Sequence, residues 1–133
     1  MAGTCFFGYV GGLIAIDVGV RHTRINEEMI YGTLCAYLFL GLAFAYLFSF
    51  VFGVQPEAFH GLERIAGYTE LEMGTFIYFS FVTLTTLEFG DITPASSSVG
   101  ALVYMEAILG QIYLTVLVAR LVGLYIAQSV EPS

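Results

Sequence analysis

Hydroxyl and carboxylate side chains are concentrated in one short stretch of the chain, residues 83–94, which reads T-L-T-T-L-E-F-G-D-I-T-P. Glu88 and Asp91 supply carboxylates, and oxygen atoms of this kind are the ligands that hard cations such as calcium prefer. The stretch lies between two long apolar runs and follows a short amphipathic segment. The loop is therefore a candidate cation site, and the apolar segments around it must position it.

The composition is that of a membrane protein. Hydrophobic residues make up 58% of the 133 residues, charged residues make up 11%, and the mean hydropathy is +0.84, far from the values of a soluble domain. The formal net charge of -7 comes from carboxylates in the loops, which leave the apolar runs nearly bare. Only four basic residues, none of them lysine, are present, and this excludes a nucleic-acid partner, which requires many cations along one face.

Two runs are long enough to cross a bilayer. The outer helix is predicted over residues 30–52 and would extend about 34 Å, enough for a hydrocarbon core of about 30 Å. The inner helix is predicted over residues 99–127, with Glu106 and Arg120 as its only charges. Residues 128–133 are predicted to form a short tail.

The N-terminal segment, residues 1–28, combines a short apolar helix with a basic linker. The apolar run is short and rich in glycine, so it is either a strained span or a helix that lies in the membrane interface. Arg21 and Arg24 precede the outer helix, and Arg120 lies late in the inner helix. The positive-inside rule places these helix ends in the cytoplasm.

A half-length helix is predicted between the two spans. The outer loop, residues 53–69, then faces outward, and the carboxylates of the outward-facing segment would concentrate cations. Thr69 and Glu72 match the capping-box pattern, which predicts a pore helix over residues 70–85. Irregular backbone at membrane depth is tolerated only where protein or water surrounds it. The chain must therefore turn back inside an assembly, with residues 86–90 as a filter-like loop.

Several residues of this region have an order and spacing that together form a pattern: Tyr78-Phe79-Ser80-Phe81 in the pore helix, Thr85-Thr86 entering the loop, Gly90-Asp91 leaving it, Pro94 beyond it, and Gly110 in the inner helix. In this order they resemble the two-helix pore domain of potassium channels, over about residues 30–127. The resemblance implies an all-α membrane protein whose outer helix, re-entrant pore helix, filter loop and inner helix assemble as a tetrameric pore. It also implies passive permeation of cations (potassium, sodium or calcium) without a cofactor.

The filter differs from that of the family at one position of consequence. Where the family reads T-V-G-Y-G, this chain reads Thr86-Leu87-Glu88-Phe89-Gly90. Glu88 replaces a glycine that the resemblance places at positive φ, which costs another residue about 1–2 kcal/mol. Four copies of Glu88 around one axis would form a ring of carboxylates that selects cations through side chains and favours holding a proton or a cation. The triplet T-L-E also resembles the start of the T-L-E-S-W filter of bacterial sodium channels.

The sequence leaves three functional interpretations open. The favoured one is a cation channel whose selectivity Glu88 relaxes or alters. In the second, Glu88 turns behind the filter and bonds to pore-helix groups, so that potassium is still preferred. In the third, the protein is a non-conducting membrane adaptor that has kept the pore fold. An enzyme is not indicated, because the sequence offers no nucleophile and base pairing, metal-ligand cluster or phosphate-binding loop.

Residues flanking the filter have roles implied by the resemblance. Asp91, at the outer mouth, either holds the loop to a neighbouring helix or faces the vestibule. Thr86 offers its hydroxyl as the innermost ion ligand, or uses it to satisfy the end of the pore helix. Gly110 is either a hinge that lets the inner helices splay or a site of close helix packing.

Further positions follow from helical spacing in the inner helix. Gln111, Leu114 and Val118 share one stripe and are predicted to face the cavity below the filter. Glu106 is an acid inside a membrane helix, so it is a functional candidate, or else a neutral acid that is hydrogen-bonded behind the pore helix.

One quarter of a pore conducts nothing, so the channel interpretation requires a homotetramer in a lipid bilayer. The expected location is the cell membrane, as a multi-pass protein of a prokaryotic plasma membrane.

Overall fold

The computed structural model describes residues 27–62 and 73–130 of the chain. Its elements, in order, are helix α1 (Glu27–Val54), a 3-10 turn (Pro56–Ala58), strand β1 (Phe59–His60), helix α2 (Met73–Leu84), strand β2 (Thr93–Pro94) and helix α3 (Ser97–Val130). The predicted helical class is confirmed. The predictions for the N-terminal apolar helix, for the capping box and for residues 70–72 of the pore helix lie outside the described residues.

Helix α1 extends beyond the predicted residues 30–52 at both ends. Its described part starts at Glu27. It ends before Pro56, which lacks a backbone donor and disfavours helical geometry at Gln55, whose φ is -139°. The stretch Ile30–Val54 is long and apolar enough to cross a membrane.

The described part of helix α2 is shorter than a bilayer span. Its 12 described residues extend about 18 Å. It ends at Leu84 rather than at the predicted residue 85, because the backbone turns into a left-handed conformation at Thr86.

Helix α3 is also longer than the predicted residues 99–127. It begins at Ser97 because Ser96 serves as its N-cap: the Val99 N–H donates to Ser96 Oγ at 3.3 Å. It continues to Val130, into the residues predicted as tail, because no proline interrupts the chain between β2 and Pro132. Its first 31 residues, up to Ala127, form the second stretch that could cross a membrane.

A two-residue antiparallel ladder joins the segment after α1 to the segment after the candidate loop. Its register pairs Phe59 with Pro94 and His60 with Thr93. Gly61 follows at a φ of +89°, where an added Cβ would lie 1.8 Å from the Asp91 carbonyl oxygen. Only glycine therefore permits the two segments to approach this closely.

The described residues fall into two compact units. The loop unit is Phe39–Gln111, and it contains α2, the ladder and the candidate site. Its core is a cluster of phenylalanine rings whose closest pair, Phe48 and Phe79, has centroids 5.0 Å apart. Aromatic pairs of this kind contribute about 0.5–1.5 kcal/mol each beyond the area that they bury. The other rings of the cluster are Phe44, Phe52, Phe59 and Phe76.

The stem unit consists of the described residues before Phe39 and after Gln111. Tyr113 is buried there, stacks on Tyr37 with centroids 5.7 Å apart, and donates its hydroxyl to the Thr33 carbonyl at 2.6 Å. This bond matters because a tyrosine hydroxyl buried between apolar helices needs a partner.

Candidate functional site

The loop after α2 lies at the surface of the single chain. Every residue from Thr85 to Gly90 is exposed, including the apolar side chains of Leu87 (58%) and Phe89 (63%). The loop has no helical or strand structure of its own between Leu87 and Phe89. Its backbone and side-chain oxygens are therefore available to a ligand or to a further copy of the chain.

The C-terminus of α2 closes in a Schellman motif centred on Thr86. The Leu87 N–H donates to the Val82 carbonyl at 3.0 Å, and the Thr86 N–H donates to the Thr83 carbonyl at 2.9 Å. This motif requires positive φ at its turning residue, and Thr86 has a φ of +56°. A β-branched residue is rare in that conformation, which costs about 1–2 kcal/mol. The helix end and the loop entrance are thus fixed by the same strained residue.

The hydroxyl of Thr85 completes the helix end. Its Oγ1 donates to the Phe81 carbonyl at 2.7 Å, and its backbone N–H donates to the same oxygen at 3.0 Å. Thr86 Oγ1 instead accepts a bond of 3.2 Å from Gln111 Nε2 on α3. The structure therefore brings two predicted site residues together, the filter threonine and the polar residue of the inner helix.

Glu88 stands at the middle of the loop in a left-handed backbone conformation, with a φ of +41°. Its carboxylate is exposed, and none of the described residues hydrogen-bonds to it. Gly90, two residues later, also has positive φ, at +75°. The backbone φ is therefore positive at Thr86, Glu88 and Gly90. Glu88 occupies one of these positions, where glycine would cause no strain.

The outer end of the loop is tied to α2 by Tyr78. Its hydroxyl donates to Asp91 Oδ2 at 2.6 Å, and its ring lies parallel to that of Phe89, with centroids 6.5 Å apart and an interplanar angle of 6°. Asp91 Oδ1 accepts the Ile92 N–H at 3.0 Å. Both Asp91 oxygens are thus used within the chain, which is the geometry of a residue that holds the loop to a helix.

Gly110 lies where α3 meets the end of α2. A Cβ at this position would lie 2.6 Å from the Leu84 carbonyl oxygen and 2.9 Å from Leu84 Cδ1. Gly110 is buried, and the absence of a side chain permits this contact. Gly110 therefore packs closely against Leu84. Its role as a hinge stays a prediction.

Behind α2, a polar contact crosses the apolar interior of the loop unit. Ser80 Oγ hydrogen-bonds to the Gly41 carbonyl on α1 at 2.7 Å and to Glu106 Oε1 on α3. Ser80 and Glu106 are both completely buried. Glu106 therefore lies behind the pore helix, with Ser80 as its partner there.

The two remaining predicted site residues belong to the stem unit. Leu114 is half-buried, and Val118 is 57% exposed. Their role in lining a cavity stays a prediction. Within residues 27–62 and 73–130, no group of three or more His, Cys, Asp or Glu side chains is placed to hold a metal ion.

Comparison with known families decides the class of protein. A family model described as an ion channel matches residues 32–128, from the first turns of α1 to the end of α3. The chain belongs to this ion channel family. The resemblance to the two-helix pore domain of potassium-channel-like proteins is confirmed by this match, which covers the entire candidate loop. Together with the two long apolar helices, it makes the channel a membrane protein and favours a non-enzymatic role. No curated protein matches the chain.

Sequence reasoning missed three residues that position the site of this channel. Ser80 was noted only as part of a motif, although a serine among phenylalanines on a buried helix face signals a buried hydrogen bond. Tyr78 was likewise not paired with Asp91. Gly41 carried no signal, because its contribution is a backbone carbonyl that any residue possesses.

Proposed function

We propose that this protein is the pore-forming subunit of a homotetrameric cation channel, a multi-pass protein of a prokaryotic plasma membrane. In this proposal four filter loops, each Thr86 to Gly90, surround one axis and replace part of the water around a passing cation. Potassium, sodium and calcium are the permeant ions, and Glu88 relaxes the selectivity relative to a potassium filter.

The exposure of the loop supports an assembly of several chains. Leu87 and Phe89 are apolar and more than half exposed in one chain, although they adjoin a helix end that is tightly ordered. Non-helical backbone at membrane depth requires surrounding protein or water. Copies of the same loop around an axis supply both, with protein between the loops and water along the axis.

The selectivity proposal rests on the exposure and the backbone conformation of Glu88. Its carboxylate is exposed, its φ is +41°, and it has no hydrogen-bond partner among the described residues. The alternative, in which Glu88 turns behind the filter, needs a partner on α2 or in the loop. The described residues of α2 bond instead to Gly41, Asp91 and Glu106, and this favours carboxylates that face the axis or its outer mouth.

Reversal potentials in planar bilayers test this proposal. Wild-type channels should pass sodium and potassium with similar permeabilities and should admit calcium. Glu88→Gly restores glycine at the left-handed position and removes the charge, so it should shift permeation towards potassium. The same variant should stabilise the assembly, because relief of the backbone strain is worth about 1–2 kcal/mol in each subunit.

Glu88→Gln is the matched control, since it removes the charge and keeps the side-chain size and the backbone strain. It should abolish calcium permeation while it leaves the potassium-to-sodium ratio closer to that of the wild type than Glu88→Gly does. Strict potassium selectivity of the wild type would contradict the proposal and favour the alternative with Glu88 behind the filter. An intact assembly that carries no ion flux, with or without Glu88, would identify the adaptor instead.

A further inference from the structure

Behind the filter, the Ser80 hydroxyl on α2 contacts one oxygen atom on α1 and another on α3. One serine proton cannot form both hydrogen bonds. Ser80 Oγ lies 2.7 Å from the Gly41 carbonyl oxygen and within hydrogen-bond distance of Glu106 Oε1. A serine hydroxyl has one proton to donate, and a backbone carbonyl can only accept. If Glu106 were ionised, its carboxylate would also be an acceptor only, and one of these two contacts would lack a proton.

If Glu106 carries a proton, both hydrogen bonds can form. The Ser80 hydroxyl then donates to the Gly41 carbonyl, and Glu106 Oε1–H donates to the Ser80 oxygen, which has two lone pairs for this purpose. Two oxygens this close without a proton between them would repel each other, so the arrangement with two bonds is favoured.

The second oxygen of Glu106 gives independent support. Glu106 is completely buried, and its Oε2 has no hydrogen-bond partner among the described residues. An unpartnered carbonyl oxygen of a neutral acid is far less costly to bury than half of a carboxylate charge. In the neutral acid, Oε2 is this carbonyl oxygen.

Among residues 27–62 and 73–130, none of the three helices places a charge beside Glu106 that would stabilise its ionised form. Helix α2 contains no charged residue, and the charges of α1 are confined to its first turn. The other charged residue of α3 is Arg120, 14 positions further along. The exposed tyrosines among the described residues of the loop unit are Tyr46, Tyr78 and Tyr104, and the hydroxyl of Tyr78 is bonded to Asp91.

We infer that Glu106 is a positioning residue of the channel, a neutral acid whose proton starts a relay from α3 through Ser80 on α2 to the Gly41 carbonyl on α1. The relay fixes the pore helix from behind and so fixes the loop that follows it. Glu106 acts on the loop through Ser80, its hydrogen-bond partner on the pore helix.

Infrared difference spectroscopy of the purified full-length protein tests the proton directly. The wild type minus Glu106→Gln spectrum at neutral pH should contain the carbonyl stretching band of a protonated carboxylic acid. Glu88→Gln is the matched control, because it removes the carboxyl group of the filter loop, and the Glu106 band should persist in that variant. Ser80→Ala should shift the band, since it removes the acceptor of the Glu106 proton. A carboxylate band in place of the acid band would overturn the inference.

A double-mutant cycle supplies a second measurement. Ser80→Ala leaves Glu106 and the Gly41 carbonyl without this partner, and should lower the ratio of folded to unfolded protein on the order of tenfold. Adding Glu106→Leu to Ser80→Ala should recover part of this loss, because it removes the unsatisfied acid. Strictly additive effects would contradict the relay. Neither measurement depends on ion flux, so a failure of the proposed channel function would be distinguishable from a failure of this inference.

Discussion

At the scale of single residues, the outer end of the filter depends on Tyr78. Phe89 lacks the hydroxyl with which the corresponding tyrosine of the potassium channel family could tie the filter to the pore helix. Here the pore helix supplies the hydroxyl instead, since Tyr78 bonds to Asp91 and stacks on Phe89. The hydrogen bond to Asp91, together with partial burial and the negative charge of Asp91, raises the pKa of Tyr78 above its ordinary value of 10.0. The hydroxyl therefore remains a donor at neutral pH.

Tyr78→Phe should loosen the outer mouth without removing the ring stack. Asp91 loses one of its two bonds, so we expect amide hydrogen exchange in residues 90–92 to become several-fold faster by local opening. Hydrogen-exchange mass spectrometry in detergent or nanodiscs measures this. Tyr46→Phe is the matched control, because Tyr46 is exposed on α1 at 66% and should leave these amides unchanged. Unchanged exchange in Tyr78→Phe would show that the bond does not hold the loop.

The same bond predicts a pH dependence with a definite sign. A raised pKa means that the bond stabilises the folded state fully below the unfolded pKa of about 10, and that this contribution is lost as the pH rises through the raised value. The difference in melting temperature between the wild type and Tyr78→Phe should therefore be constant near neutral pH. It should shrink in strongly alkaline solution, and a difference that shrinks already at neutral pH would contradict this assignment.

The sequence predicts candidate site residues but not their partners within the chain. Thr86 to Gly90, Asp91 and Gln111 follow from motif and spacing, and their function as a site stays a prediction. The bond from Gln111 to Thr86 and the pairing of Ser80 with Glu106 depend on how three helices pack. Contacts between helices far apart in sequence leave no periodic signal in a single chain, so these partners required the structure.

At the scale of elements, the packing of α3 on the end of α2 depends on a missing side chain. The space at Gly110 is closed by the Leu84 backbone, which cannot move aside as a flexible side chain could. The helix ends are likewise determined by local interactions rather than by the hydrophobic pattern of the sequence. The N-cap Ser96 makes α3 begin before the hydrophobic run that predicted it. The sequence did not predict a positive φ at Thr86, because β-branched residues rarely adopt that conformation.

Gly110→Ala should separate packing from hinge motion. A Cβ at 2.6 Å from a carbonyl oxygen forces the helices apart, and overpacking of this kind costs about 1–3 kcal/mol. We expect a lower melting temperature of the purified protein. Gly100→Ala is the matched control on the same helix, because nothing lies within 4 Å of its Cβ, and it should be neutral or slightly stabilising. Unchanged stability in Gly110→Ala with altered gating would instead identify a hinge.

At the scale of the whole molecule, the exposed apolar surface is consistent with contact to lipid and to the other chains of the proposed tetramer. Large apolar side chains are exposed along both long helices as well as in the loop, for example Phe39 and Phe50 on α1 and Tyr104 and Ile108 on α3. A soluble monomer would not expose this much apolar surface. In the proposed tetramer, one face of each subunit would contact lipid, and the loop-bearing face would contact the neighbouring subunits.

Native mass spectrometry from detergent or nanodiscs should give an assembly of four times the chain mass of 14.5 kDa. The physical reason is that four loops are needed to enclose a pathway, while the helices of one subunit leave the loop open on one side. Fourfold symmetry in projection images provides the second measurement. A monomer, or an assembly of another symmetry, would contradict the proposed pore.

The short ladder between β1 and β2 has a consequence for biogenesis. It joins His60 to Thr93 within one chain, so the segment between them, which contains α2 and the filter, is closed at its base without a contribution from a second chain. The entropy cost of closing this loop therefore falls on the single chain, and each doubling of the loop length would add only about 0.6 kcal/mol. We expect the subunits of the proposed tetramer to be inserted as single chains whose filter segments are already closed at the base.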